Sequence, residues 1–173
     1  MLLGRYLGRA PESIEISTGR FGKPFLPKHP KLFFNLSHAE EIAVYAFSTA
    51  DEVGVDVEYI RPEFAGLDIA ERYFSETEKR ELRALPMEAQ AEAFFLCWTR
   101  KEAYVKAHGD GLQIPLDSFD VSLTSSVDAT IRSADSARWK LWSFCPMAGY
   151  VASVVTGADT VNLKFWASPN AGS

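Results

Sequence analysis

Two acidic residues two positions apart, Asp56 and Glu58, lie in the segment Val53-Gly54-Val55-Asp56-Val57-Glu58-Tyr59, and a third, Glu102, interrupts an apolar helical stripe. Residues two apart on a strand project to the same side, so both carboxylates reach one point, and Glu102 reaches it from a helix packed on the sheet. Carboxylates gathered away from water need a cation, an Arg or Lys, or a proton to compensate them. Hard oxygen ligands suit Mg²⁺, which keeps places for water and phosphate oxygens, so the chemistry on offer is the handling of a phosphate. The residues alone leave other readings open. The same face serves equally as the solvated side of an edge strand, and Glu102 with Lys106 forms an ordinary i,i+4 surface pair.

Positioning these groups requires particular elements. Strict alternation from Val53 to Ile60 predicts a strand with Val53, Val55, Val57 and Tyr59 on one face and Gly54, Asp56 and Glu58 on the other. Upstream, the runs Leu32 to Leu36 and Ile42 to Phe47, separated by Ser37-His38-Ala39-Glu40-Glu41, are expected to pair as strands, and Leu2, Leu3, Tyr6 and Leu7 recur at helical spacing. Downstream, Leu67 to Tyr73 predicts a short helix, and Ser75 with Glu78 forms a capping box that opens another, running to about Leu85. After Pro86 a longer helix carries Ala91, Phe94, Phe95, Trp98, Glu102 and Val105 on one stripe and stops at His108-Gly109. Late strands are expected around Ser118 to Leu123, Trp139 to Phe144 and Tyr150 to Val155, with a loose tail at residues 168–173. Strands with grouped helices indicate α+β.

The 173 residues, 47% of them hydrophobic, suffice for one ordinary domain or two small lobes, and 18 Lys and Arg against 23 Asp and Glu leave a net charge of -5. That balance argues against broad nucleic-acid or anionic-membrane binding. The 2 cysteines, Cys97 and Cys145, lie among large apolar residues and read as core thiols of a reducing compartment. No signal-type apolar core and no membrane-length run occurs, so a cytoplasmic protein is expected.

Taken together, Gly54-Val55-Asp56-Val57-Glu58 and Trp98-Thr99-Arg100-Lys101-Glu102-Ala103-Tyr104-Val105-Lys106 resemble the paired signatures of the 4'-phosphopantetheinyl transferases, G-x-D-x-E followed by W-x-x-K-E-A-x-x-K. Either motif alone is weak; both, in order and at family-like spacing, are specific. Further matches are Gly22-Lys23-Pro24, Phe34-Asn35-Leu36-Ser37-His38, Phe74-Ser75-Glu76-Thr77-Glu78 and Gly111-Leu112-Gln113-Ile114-Pro115-Leu116. The Ser37-His38 element resembles the larger, Sfp-like branch rather than the short holo-acyl-carrier-protein synthase branch.

That resemblance implies an α+β fold of two similar lobes related by a pseudo-twofold axis, with coenzyme A between them. Here residues 1–52 would form a shortened N-terminal lobe, lacking the family's opening strand and basic region, and 53–167 the lobe bearing the motifs. It implies a holo-[acyl-carrier-protein] synthase type enzyme that moves the phosphopantetheine arm of coenzyme A to a serine of an apo acyl or peptidyl carrier protein. Asp56, Glu58 and Glu102 would hold Mg²⁺. Glu102 would also take the serine proton, directly or through water, and Lys106 would stabilise the transferring phosphate or protonate the leaving group. Lys23, Ser37 and His38 would contact the nucleotide's phosphates, although a Lys before Pro in a loop is ordinarily solvated and Ser-His between strands is ordinarily turn chemistry. Trp98 reads as a core aromatic, and Lys101 is expected to face solvent or the carrier. Arg72, Lys79, Arg80 and Arg83 would offer local positive charge to an acidic carrier. The family implies a monomer, and an exposed first lobe makes a dimer possible. Two other classes remain in play: a shortened, non-catalytic coenzyme A or carrier-binding module, and a Mg²⁺-dependent phosphohydrolase.

Overall fold

The computed structural model describes residues 2–64, 66–109, 114–124, 129–157 and 162–167. The expected tail at 168–173 and the motif residues Gly111, Leu112 and Gln113 lie outside these. A short helix α1 (Leu2–Leu7) is followed by a two-residue pair, β1 (Ser17–Thr18) with β2 (Pro24–Phe25), and by a hairpin of β3 (Phe33–Ala39) and β4 (Ile42–Ser48). The hairpin register runs from Phe33 opposite Ser48 to Ala39 opposite Ile42. Only Glu40 and Glu41 form its turn, and Glu40 takes φ 47, as a tight two-residue hairpin demands. Ser37, His38 and Ala39, expected in the connection, thus belong to the strand.

The central sheet is antiparallel, in the order β5 (Val53–Tyr59), β9 (Tyr150–Thr156), β8 (Lys140–Phe144), with Asp56 opposite Ser153. Residues 53 to 57 are all buried, so the alternation read in the sequence does not divide a wet face from a dry one. One face packs on helix α4 (Met87–His108) through Val151 and Val155. On the other, Val53, Val55, Val57, Val154 and Ala152 meet Phe33, Ala39, Ile42, Val44 and Ala46 of the hairpin. The strand expected around Ser118 to Leu123 forms only as the two-residue β6 (Asp120–Val121), which pairs with an unexpected β7 (Ile131–Arg132) beside this core.

Gly54 sets the distance between sheet and helix. A Cβ there would lie 2.1 Å from Ala103 O and 2.3 Å from Ala107 N, so the backbones of β5 and α4 touch at this point. Helix α4 follows α2 (Leu67–Tyr73) and α3 (Glu76–Ala84), whose expected capping box forms: Ser75 Oγ accepts from Glu78 N and Glu78 Oε2 from Ser75 N. Gly109 ends α4 at φ 77.

Helix α4 is buried on most sides, and this overturns the placement of Lys101 in solvent. Lys101 is fully buried, with Nζ 2.8 Å from Glu78 Oε2 and donating to Leu116 O at 2.6 Å and Phe119 O at 2.7 Å, above the Phe119 ring. Glu78 Oε1 accepts from Val121 N, so the ammonium's three donors and the carboxylate's two oxygens are all engaged. The pairing binds α3, α4 and the 116–121 segment together. Trp98 is half-buried against the core, as expected. Of the two cysteines Cys97 is buried, while Cys145 is exposed in the β8–β9 turn, where Pro146 and Gly149 keep the chain at the surface. Among the described residues no helix is long and apolar enough to cross a membrane.

Candidate active site

Strand β5 carries Asp56 and Glu58 toward α4, and the backbone contact at Gly54 brings the following turns of that helix over them. Asp56 is 4% exposed. Its Oδ1 accepts from Lys106 Nζ at 2.6 Å and from Ser37 Oγ at 2.8 Å, and Lys106 also donates to Ser37 Oγ at 3.2 Å. Its Oδ2 is buried and has no hydrogen-bond partner. Burial pushes the Asp56 carboxyl above the ordinary carboxylate range, opposed by Lys106 and Ser37. Glu58 is raised by burial and then by the charges of Asp56 and Glu102. Glu102 is raised by burial and then by Asp56, with Lys106 opposing. The buried Asp56 and the partly buried Glu58 and Glu102 therefore repel one another around the Lys106 ammonium they share, with Arg61 adding positive charge beside Glu58.

Among the described residues no group of three His, Cys, Asp or Glu side chains closes on a point as a metal cage would. In this state Lys106 neutralises Asp56. The donor set nevertheless suits a hard divalent cation: Asp56 keeps an unpartnered buried oxygen, and Glu58 and Glu102 stay raised because Lys106, with Arg61 beside Glu58, only partly offsets burial and like charge.

The remaining sequence-derived positions divide. Ser37 joins Asp56 and Lys106. His38, the next residue along β3, is exposed opposite Ala43, because successive strand side chains point to opposite sides. Lys23 lies 2.5 Å from Glu52 Oε2 and donates to Ala107 O at 2.8 Å, tying its loop to the end of α4. It lines a cavity of about 350 Å³ with Pro24, Leu26, Phe33, Phe34 and His108, which Asp56 does not reach. In the basic cluster, Lys79 pairs with Glu76, Arg83 with Glu71, and Arg72 lies over Tyr73, so much of its charge is answered locally. Sequence reasoning assigned no role to Asn35, a buried residue whose Oδ1 accepts from Val55 N at 3.0 Å. Its signal was an amide in an otherwise apolar run.

Residues 52–155 match the family model of the 4'-phosphopantetheinyl transferase superfamily. The chain is 36% identical over 168 residues to the 4'-phosphopantetheinyl transferase HetI of a Nostoc species, covering 95% of this chain and 70% of that protein. It is 38% identical over 123 residues to the 4'-phosphopantetheinyl transferase Sfp of Bacillus subtilis, covering 71% of this chain and 54% of that one. The holo-[acyl-carrier-protein] synthase of Thermotoga maritima superposes with a TM-score of 0.47 at 22% identity, covering 61% of each chain. From HetI to Sfp, the curated relatives are matched over 70% down to 54% of their own length.

Proposed function

Because the chain belongs to the 4'-phosphopantetheinyl transferase superfamily, we propose that it moves the phosphopantetheine arm of coenzyme A to a serine of an acyl or peptidyl carrier protein, releasing 3',5'-ADP. The observation that carries this reading is the meeting of Asp56, Ser37 and Lys106, with Glu58 and Glu102 as electrostatic neighbours. A phosphate-transfer site needs both signs of charge close together: carboxylates for a cation and a proton, an ammonium for phosphate oxygens.

On this reading Asp56, Glu58 and Glu102 would hold Mg²⁺, which when bound would neutralise charge on the coenzyme A pyrophosphate. Glu102 takes the serine proton through a water; its raised proton affinity brings it closer to the working range of a general base. The serine oxygen bonds to the β-phosphorus as the bond to the bridging oxygen breaks, and that oxygen leaves with 3',5'-ADP. Lys106, which donates to Asp56 Oδ1 in this structure, donates to the transferring phosphate or the leaving oxygen. Lys23, Ser37 and His38 are the proposed nucleotide contacts. For Lys23 this requires exchange of Glu52 for a phosphate, and for Ser37 a hydroxyl shared with Asp56. Residues 1–52 and 53–167 are the proposed lobes.

The test is the intact mass of an apo carrier protein after incubation with this chain, coenzyme A and Mg²⁺. The phosphopantetheine mass appears on the carrier serine, and Glu102→Gln slows its appearance by about 10²–10⁴-fold. Coenzyme A binding without any mass gain would instead indicate the binding module, and 3',5'-ADP release without carrier the hydrolase.

A second prediction concerns pH. Carboxyls whose folded proton affinity is raised contribute stability that is present at acid pH and lost as pH rises from the unfolded value of about 4 through the folded one. Asp56, Glu58 and Glu102 all shift in this direction. A cation that replaces those protons is therefore most effective above that window. Mg²⁺ raises Tm more at about pH 7.5 than at about pH 5, and Asp56→Asn removes most of the difference. Equal Mg²⁺ shifts at both pH values would argue against these carboxylates as the ligands.

A further inference from the structure

We infer that Asn35 is a positioning residue for Asp56: its side-chain amide holds β3 in register on the open edge of β5, and that register delivers Ser37 to the Asp56 carboxylate. The inference rests on the transferase reading above and adds a residue that touches none of the proposed reacting groups.

Among the described residues strand β5 pairs with β9 along one edge, and the hairpin, which covers the Val53, Val55 and Val57 face and reaches the other edge through Asn35, forms a separate two-stranded sheet with its own register. No backbone ladder therefore fixes β3 relative to β5. Two direct hydrogen bonds link β3 to β5 among the described residues, Asn35 Oδ1 accepting from Val55 N at 3.0 Å and Ser37 Oγ donating to Asp56 Oδ1 at 2.8 Å, with Lys106 bridging the second pair. They join residues two apart on β3 to consecutive residues of β5. The first requires an oxygen at the Asn35 amide, because Val55 N–H can only donate, and this settles the amide's orientation.

Asn35 and Val55 are buried, 6% and 1% exposed, so without the amide oxygen the Val55 N–H has no water to turn to. The apolar contacts of Val44, Ala46 and Phe33 with Val53 and Val55 are non-directional and tolerate a slide that the hydrogen bond does not. A slide separates Ser37 from Asp56 and leaves Lys106 alone on that carboxylate. Asn35 thus acts through Val55 and Ser37 on the orientation of Asp56.

The experiment is a double-mutant cycle of Asn35→Ala and Ser37→Ala in the full chain. It reads kcat and KM for carrier modification, Tm, and hydrogen exchange of the Val55 amide. Each single variant lowers kcat by about 10- to 100-fold with a smaller change in the KM for coenzyme A, and the double variant loses no more than about twofold beyond Asn35→Ala. Val55 exchanges about tenfold faster or more in Asn35→Ala and is unchanged in Ser37→Ala. Should Asn35→Ala not fold, Asn35→Ser, which keeps an oxygen too short to reach, takes its place. Losses that multiply in the double variant, a lowered Tm with kcat unchanged, or Val55 exchange unaffected by Asn35 each overturn the inference. If the wild-type chain modifies no carrier, the transferase reading falls, while Val55 exchange still decides whether Asn35 holds β3.

Discussion

Lys101→Met unfolds at a Tm lower by about 6–20 °C, because it leaves Glu78 as a buried carboxylate without its cation. Removing one member of a buried pair costs about 3–5 kcal/mol, and in a chain of this size each kcal/mol moves Tm by about 2–4 °C. The placement is severe, since both side chains are fully buried and every hydrogen-bonding group of both is engaged by Ser75, Leu116, Phe119, Val121 or the partner. The double variant Glu78→Leu/Lys101→Met recovers a large part of the loss, as apolar replacements of buried pairs commonly do. Recovery of Tm without recovery of transfer would mean that the pair also fixes the rotation of α4, on which Glu102 is the adjacent residue. A Lys101→Met variant with wild-type Tm would mean that the ammonium is not buried at all.

Gly54→Ala is the second large effect, and it falls on activity as well as stability. The added Cβ would meet Ala103 O, Ala107 N and, at 2.8 Å, Lys106 C, all of them backbone atoms that cannot swing aside. Overpacking of this kind costs about 1–3 kcal/mol or more. Relief comes only by lifting α4 from β5, which separates Lys106 and Glu102 from Asp56. A displacement near 1 Å costs on the order of 100-fold in rate. Circular dichroism would show a folded protein of lowered Tm, and the carrier assay a kcat down by about that factor. Full activity in Gly54→Ala would exclude this contact as the spacer of the site.

Much of the site was legible because its chemistry is local. Asp56 and Glu58 share a face by strand geometry, the Ser75 capping box is written in four residues, and Gly109 ends a helix in the conformation that glycine favours. The strand burial was not legible. Alternation from Val53 to Tyr59 resembles an amphipathic strand, yet a helix covers one face and a hairpin the other, and that enclosure comes from segments near Phe33 and Phe94. Ser37 and His38 formed one polar unit in the sequence; the tight Glu40-Glu41 turn extends β3 and sends them to opposite sides.

Lys101 and Lys106 state the division most directly. Both are lysines of one motif on one helix, and residue order alone foretells that helix, its end, the carboxylates it approaches and the family to which the whole pattern belongs. Tertiary structure alone decided that Lys101 points to Glu78 and a saturated interior, and Lys106 to Asp56 and a carboxylate with an oxygen to spare. The reason is physical: helical spacing reports only the angle between two side chains. What each meets depends on which distant segment packs at that angle, and here a glycine with no Cβ sets how closely one of those segments approaches.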